Sequence, residues 1–142
     1  MFGKMKPVVQ QDHTGCGIAS VAALAQRAYA TVKKEAARLD IAVTDPKLWS
    51  ETKHVRRLLT RFRLLAGKEK DFTSWNALPD RALLAIKWHR EKAGPAWHWV
   101  VFVRDASGSH VLDSKKALRT NRRIDFGRMK PKWFIRIGSK DQ

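Results

Sequence analysis

The stretch His98-Trp99-Val100-Val101-Phe102-Val103 constrains the fold more than any other part of the chain. β-Branched and aromatic residues occupy both of its alternating sets, so a strand built from it has no face for water. It belongs in the middle of a sheet covered on both sides. Asp105-Ala106-Ser107-Gly108 follows as a turn, and His110-Val111-Leu112-Asp113 returns as the antiparallel partner of a hairpin. Ala82 to Lys87, introduced by the Pro79-Asp80 turn, and Trp133 to Ile137 read as further strands, with Gly94-Pro95 as a break between elements.

The cover has to come from the N-terminal half. Residues 17–29 read as a helix, with Ile18, Val21, Leu24, Ala25 and Ala28 at helical spacing. A shorter helix is expected over about 32–40, with Val32, Ala36 and Leu39 on one side. Asp45-Pro46 marks a turn, and Ser50 is expected to cap a third helix whose apolar face is Val55, Leu58, Leu59 and Phe62. After Gly67 the character changes from helical to strand-like. Helices first and strands afterwards indicate an α+β fold, N-terminal helices packed on a C-terminal antiparallel sheet. The 142 residues are 44% apolar, with six Trp and six Phe, enough for one core. With no repeat, low-complexity stretch or linker, residues 1–142 are expected to form a single domain.

The only cysteine, Cys16, rules out an internal disulfide and leaves no thiolate set for zinc, so neither a metal nor a cofactor is expected. A lone cysteine is most often a small buried hydrophobe. This one stands between Gly15 and Gly17 where the first helix begins. Unpaired N–H groups and the positive end of the helix dipole favour a thiolate there, and the thiolate is the nucleophile. The glycines permit tight backbone geometry, and Gly17 leaves room for a substrate.

A cysteine nucleophile needs a base, and the base needs an orienting group. Of the five histidines, His54 falls on the polar side of the third helix and is read as solvated. His89 is in a loop-like stretch, His13 lacks an orienting partner, and His110 lies near a turn. His98 opens a strand directly after the Gly-Pro break, and the end of a rigid element holds a base well. With Asp105–Gly108 as the turn, pairing brings His98 alongside Asp113 to within about two positions. Asp113 can then accept from the ring and fix its tautomer. Trp97 and Trp99 flank His98 and are read as lining of the cleft.

Gln10, five residues, Cys16-Gly17, a helix, then His98-Trp99-Val100-Val101 and Val111-Leu112-Asp113 together resemble the C39-type peptidases. These are papain-like cysteine peptidases, found as leader-cleaving domains of bacterial peptide exporters and as free-standing relatives. The resemblance implies a papain-like fold, a peptide or protein substrate, Cys16 as nucleophile, His98 as base, Asp113 as orienting acid and Gln10 as oxyanion donor. Gly15 stands where that family commonly has an acidic residue, and Ser114 where proline often follows the aspartate.

The formal charge is +16, from 29 Lys and Arg against 13 Asp and Glu, with Arg56-Arg57, Lys115-Lys116 and Arg119 to Arg123 the densest spots. Such a surface favours an acidic partner, and nucleic acid would be held without sequence preference. Two readings other than a hydrolase stay open: a catalytically silent peptide-binding module, and a basic nucleic-acid-binding protein in which Trp97 and Trp99 stack on bases. No apolar run is long enough for a membrane helix, and Met1 to Val9 lacks the apolar core of a signal peptide, so a cytoplasmic protein is expected. The sequence leaves the oligomeric state open.

Overall fold

The computed structural model describes residues 5–139; Met1 to Lys4, the start of the stretch read for a signal peptide, lie outside it. Helices α1 (Cys16–Ala25), α2 (Tyr29–Arg38), α3 (Lys47–Ser50) and α4 (Lys53–Arg61) come first. Strands β1 (Leu64–Asp71), β2 (Arg81–Glu91), β3 (Gly94–Asp105), β4 (Gly108–Leu112), β5 (Arg122–Arg123) and β6 (Trp133–Ser139) follow, with a short 3₁₀ turn at Phe126–Arg128. The strands form one antiparallel sheet in the order β1-β6-β2-β3-β4-β5. This is the α+β arrangement expected from the sequence, with N-terminal helices followed by an antiparallel sheet.

β3 lies inside the sheet, between β2 and β4, and its two faces meet different layers. Trp97, Trp99, Val101 and Val103 pack with the helices, whose contribution includes Ile18, Val21, Leu24, Leu48, Val55 and Leu58. Val100 and Phe102 point the other way, into a smaller cluster with Leu84, Ile86, Val111 and Met129, bordered by Trp75 and Phe126. Alternation along an extended chain produces this split directly. Trp97, Trp99 and Trp133 meet edge to face with centroids 4.8–5.5 Å apart, and Trp99 Nε1 donates to the Leu48 carbonyl at 2.7 Å. Trp99 is fully buried, so truncating it would cost about 3–5 kcal/mol.

Several local expectations are corrected. The stretch read as one helix to residue 29 stops at Ala25, because Gln26 turns left-handed (φ 56°) and its N–H caps α1 on the Ala22 and Ala23 carbonyls. Tyr29, expected to end that helix region, opens α2. Ser50 does not cap α4; it is the last residue of α3, its hydroxyl donating back to the Pro46 carbonyl at 2.8 Å. His54 is buried on α4, not solvated, and its Nε2 meets Asp45 Oδ2 at 2.9 Å. His89 lies in β2, beyond a register shift between Ile86 and His89, rather than in a loop. Gly94 and Pro95 begin β3 itself. Among the described residues, no helix is long and apolar enough to cross a membrane.

Candidate active site

The sequence places Cys16 at the first position of α1, and a close approach holds it there. A β-carbon on Gly15 would collide with the Tyr29 hydroxyl. That hydroxyl instead donates to Asp12 Oδ2 at 2.7 Å, while Lys33 donates to the same carboxylate from the other side. α2 thereby ties down the loop that leads into the cysteine. The acidic residue of this loop is Asp12, not the residue preceding the cysteine.

His98 comes from β3 and Asp113 from the residue after β4. Strict register would put His98 opposite residue 115, since Val101 pairs with Leu112 and Asp105 with Gly108. Asp113 instead reaches back diagonally, its Oδ1 meeting His98 Nε2 at 2.8 Å. Asp113 thereby takes one ring nitrogen, and Cys16 lies near enough to the ring to favour its charged form. Burial opposes charge on His98, but the Asp113 and Cys16 contacts outweigh it and push the imidazole up to about 9. Asp113 is likewise penalised by burial, yet the His98 bond, the His98 charge and Arg123 hold it down at about 2.

The Asp113 side chain has no exposed surface, and both of its oxygens are hydrogen-bonded. Oδ1 also accepts the Lys115 N–H at 3.2 Å, and Oδ2 accepts Arg123 Nη1 at 2.9 Å. The backbone on either side is pinned by Asn121, which accepts the Asp113 N–H and donates to the Asp113 and Lys115 carbonyls. The sequence reading missed Arg123 and Asn121. Neither carries a motif, and both arrive only because the chain loops back as β5 against β4.

Gln10 is buried in the same neighbourhood, bonded through its backbone N–H to the Ser114 carbonyl at 2.9 Å. Its side-chain amide is fully engaged: Nε2 donates to the Asp12 and His13 carbonyls at 3.0 and 2.9 Å, and Oε1 accepts from the Ser114 hydroxyl at 2.8 Å. Ser114 performs a task here that proline could not, since it supplies a donor that sets the amide's orientation. A cavity of about 180 Å³ opens beside this loop, lined by Gln10, Asp12, His13, Lys115, Lys116 and Ala117. Larger recesses lie between the paired strands β1 and β6 and the loop at residues 73–79, and along α4, and neither is bordered by Cys16, His98 or Asp113.

Two residues read as substrate contacts face inward instead. Gly17 is buried, with Val55, the Leu48 carbonyl and Trp99 filling the space a side chain would need. Trp99 has no exposed surface. Both build the floor under the site. Trp97 keeps 7% of its surface exposed, next to His98. Among the described residues, no group of three or more His, Cys, Asp or Glu side chains could hold a metal ion.

No protein-family model and no curated protein matches the chain. Solved structures do. The peptidase domain of Streptococcus ComA, a bi-functional ABC transporter involved in a quorum-sensing pathway, superposes with a TM-score of 0.65 over 96% of this chain and 100% of that one, at 13% identity. A double-glycine-motif protease from an AMS/PCAT transporter, solved with its leader peptide, superposes with a TM-score of 0.62 over 96% of this chain and 93% of that one, at 18% identity. The chain has the fold of these peptidase domains. The fold is shared although few residues are, as expected when burial pattern and not side-chain identity specifies an architecture.

Proposed function

We propose that this C39-type fold carries a cysteine-dependent hydrolase of amide or peptide bonds. The observation that supports this best is the 2.8 Å bond between His98 and the buried Asp113, with the buried Cys16 near enough to the same ring to favour its charge. Cys16 attacks the substrate carbonyl as thiolate, and His98 gives its proton to the departing amine, leaving a thioester. Water, deprotonated by His98, then attacks the thioester, releasing the acid and restoring the thiol. Asp113 keeps the ring oriented through both steps. An amine acceptor in place of water would make the same site an acyltransferase, and a side-chain amide substrate would make it a deamidase.

The open first turn of α1 offers the Cys16 N–H to the developing oxyanion. Gln10 is the second donor in this reading, and it has to release the Asp12 or His13 carbonyl when substrate arrives. A peptide substrate is favoured because a protease of this fold has been captured with a leader peptide. The +16 charge favours an acidic one.

The test needs no known substrate. Iodoacetamide should alkylate Cys16 near neutral pH faster than it alkylates a free thiol, and His98→Ala should abolish the advantage. Equal rates in the wild type and His98→Ala would remove the basis for a paired nucleophile. Cys16→Ala should then be inert toward any peptide the wild type cleaves.

A further inference from the structure

Arg123 belongs to the densest basic run of the sequence, Arg119 to Arg123, where a solvated or partner-binding surface is the ordinary expectation. The fold turns it inward. β5 is two residues long, Arg122 against Leu112 and Arg123 against Val111. Arg122 donates to the Met5 carbonyl at 3.1 Å, tying down the N-terminal segment. Arg123 is only 13% exposed; it gives Nη1 to Asp113 at 2.9 Å and a two-point grip, Nε and Nη2, to Asp125 at 2.9 and 2.7 Å. Asp125 is the outer end of this chain and is 43% exposed.

We propose that Arg123 is a positioning residue of the site: it fixes the rotamer and the charge of Asp113, and through Asp113 the orientation of His98. This rests on the reading of Cys16, His98 and Asp113 as one site. The physical case is that a fully buried carboxylate has two ways to satisfy itself. It can take up a proton, or it can be ringed by donors. With His98 alone, Asp113 would have one charged partner on one oxygen and could rotate or protonate. Arg123 occupies the second oxygen with a planar donor that Asp125 holds in place. The groups that act on Asp113 include His98 from β3, Arg123 from β5, the Lys115 N–H from the loop, and Lys87 of β2 at longer range.

Charge is what separates this role from plain packing. Removing a positive charge raises nearby pKa values, and an arginine beside a carboxylate is worth about 1–3 units. The experiment follows the His98 ring by NMR titration, and alkylation of Cys16 by iodoacetamide against pH, in the wild type and four variants. Arg123→Gln, which keeps a donor and loses the charge, should raise the His98 midpoint and move the alkylation profile the same way. Arg123→Lys restores the charge without the fork and should return most of both shifts. Asp125→Asn removes an exposed negative charge and should shift the His98 midpoint downward; it serves as the variant that stays folded if Arg123→Gln does not. Cys16→Ala is the control.

A folded Arg123→Gln whose profile superimposes on the wild type overturns the proposal, as does an Asp125→Asn midpoint that is unmoved or raised. If Cys16 shows no enhanced alkylation, the hydrolase reading fails by itself. The His98 titration still reports whether Arg123 acts on the Asp113–His98 pair.

Discussion

Asp113→Asn keeps the shape of the side chain and deletes its charge, so it isolates what ionisation of this buried group is worth. Asp113 is held at about 2 against an ordinary 3.8, and its side chain is wholly shielded from solvent. At about 1.4 kcal/mol per unit, the folded state gains about 2 kcal/mol from the ionised carboxylate at neutral pH. For a chain of this length that corresponds to about 6–10 °C in melting temperature. A carboxyl whose pKa is depressed on folding stabilises fully above its unfolded value and loses that contribution as pH falls through its folded one. The gap between wild type and variant should therefore be open at neutral pH and close between about pH 4 and about pH 2. His98 runs the other way. Its pKa is raised from 6.5 to about 9, so its contribution is complete below 6.5 and fades as pH rises through about 9. Wild-type stability should thus fall on both flanks of a broad plateau, and Asp113→Asn should flatten both. Urea unfolding of the two proteins across pH measures this directly. A variant as stable as wild type at neutral pH, or a gap that persists undiminished in acid, would refute the account of a charged, desolvated network.

Three further substitutions test other parts of the site. Gly15→Ala should drive Tyr29 off Asp12 and cost about 1–3 kcal/mol by urea unfolding, with slower Cys16 alkylation as the loop loosens. Ser114→Ala should lower stability by about 1 kcal/mol and leave the alkylation profile in place, because it frees the Gln10 amide without touching His98. Trp99→Phe removes the donor to the Leu48 carbonyl and part of the Trp floor; a melting temperature within about 2 °C of wild type would contradict the packing described for that layer.

The sequence was most legible where burial is symmetrical or periodic. His98 to Val103 announced an interior strand because both faces are covered, and the α1 and α4 stripes announced their inner faces. β1 went unread because it is an edge strand whose visible sequence is Gly-Lys-Glu-Lys, with mostly exposed side chains and a bulge between Ala66 and Glu69. His54 was assigned to solvent although it sits four residues before Leu58, on the buried stripe. The Asp45 carboxylate that makes its burial tolerable comes from a separate loop, so no local rule could supply it. The nearness of His98 and Asp113 was legible to two positions because a two-residue turn fixes hairpin register. Arg123 was not, because its pairing depends on the path of the nine residues between Asp113 and itself. Gln10 was singled out only through the resemblance to C39-type peptidases, and the direction its amide takes depends on Ser114, 104 residues away.

The sheet order carries a consequence for how the molecule is made. β6, the last strand, does not sit at an edge but between β1 and β2, and Trp133 completes the aromatic layer beneath Trp97 and Trp99. A ribosome releases everything needed for α1 to α4 and for the β2–β5 meander before it releases this strand. Until then β1 has no partner, β2 presents an open edge, and the tryptophans lack one wall. The nascent chain thus holds Cys16 in an unfinished shell, exposed to edge pairing with its neighbours. Completion is a single late insertion that zips two strands at once. Chains cut short before Trp133 should accumulate as aggregates, not as weakened copies of the finished fold.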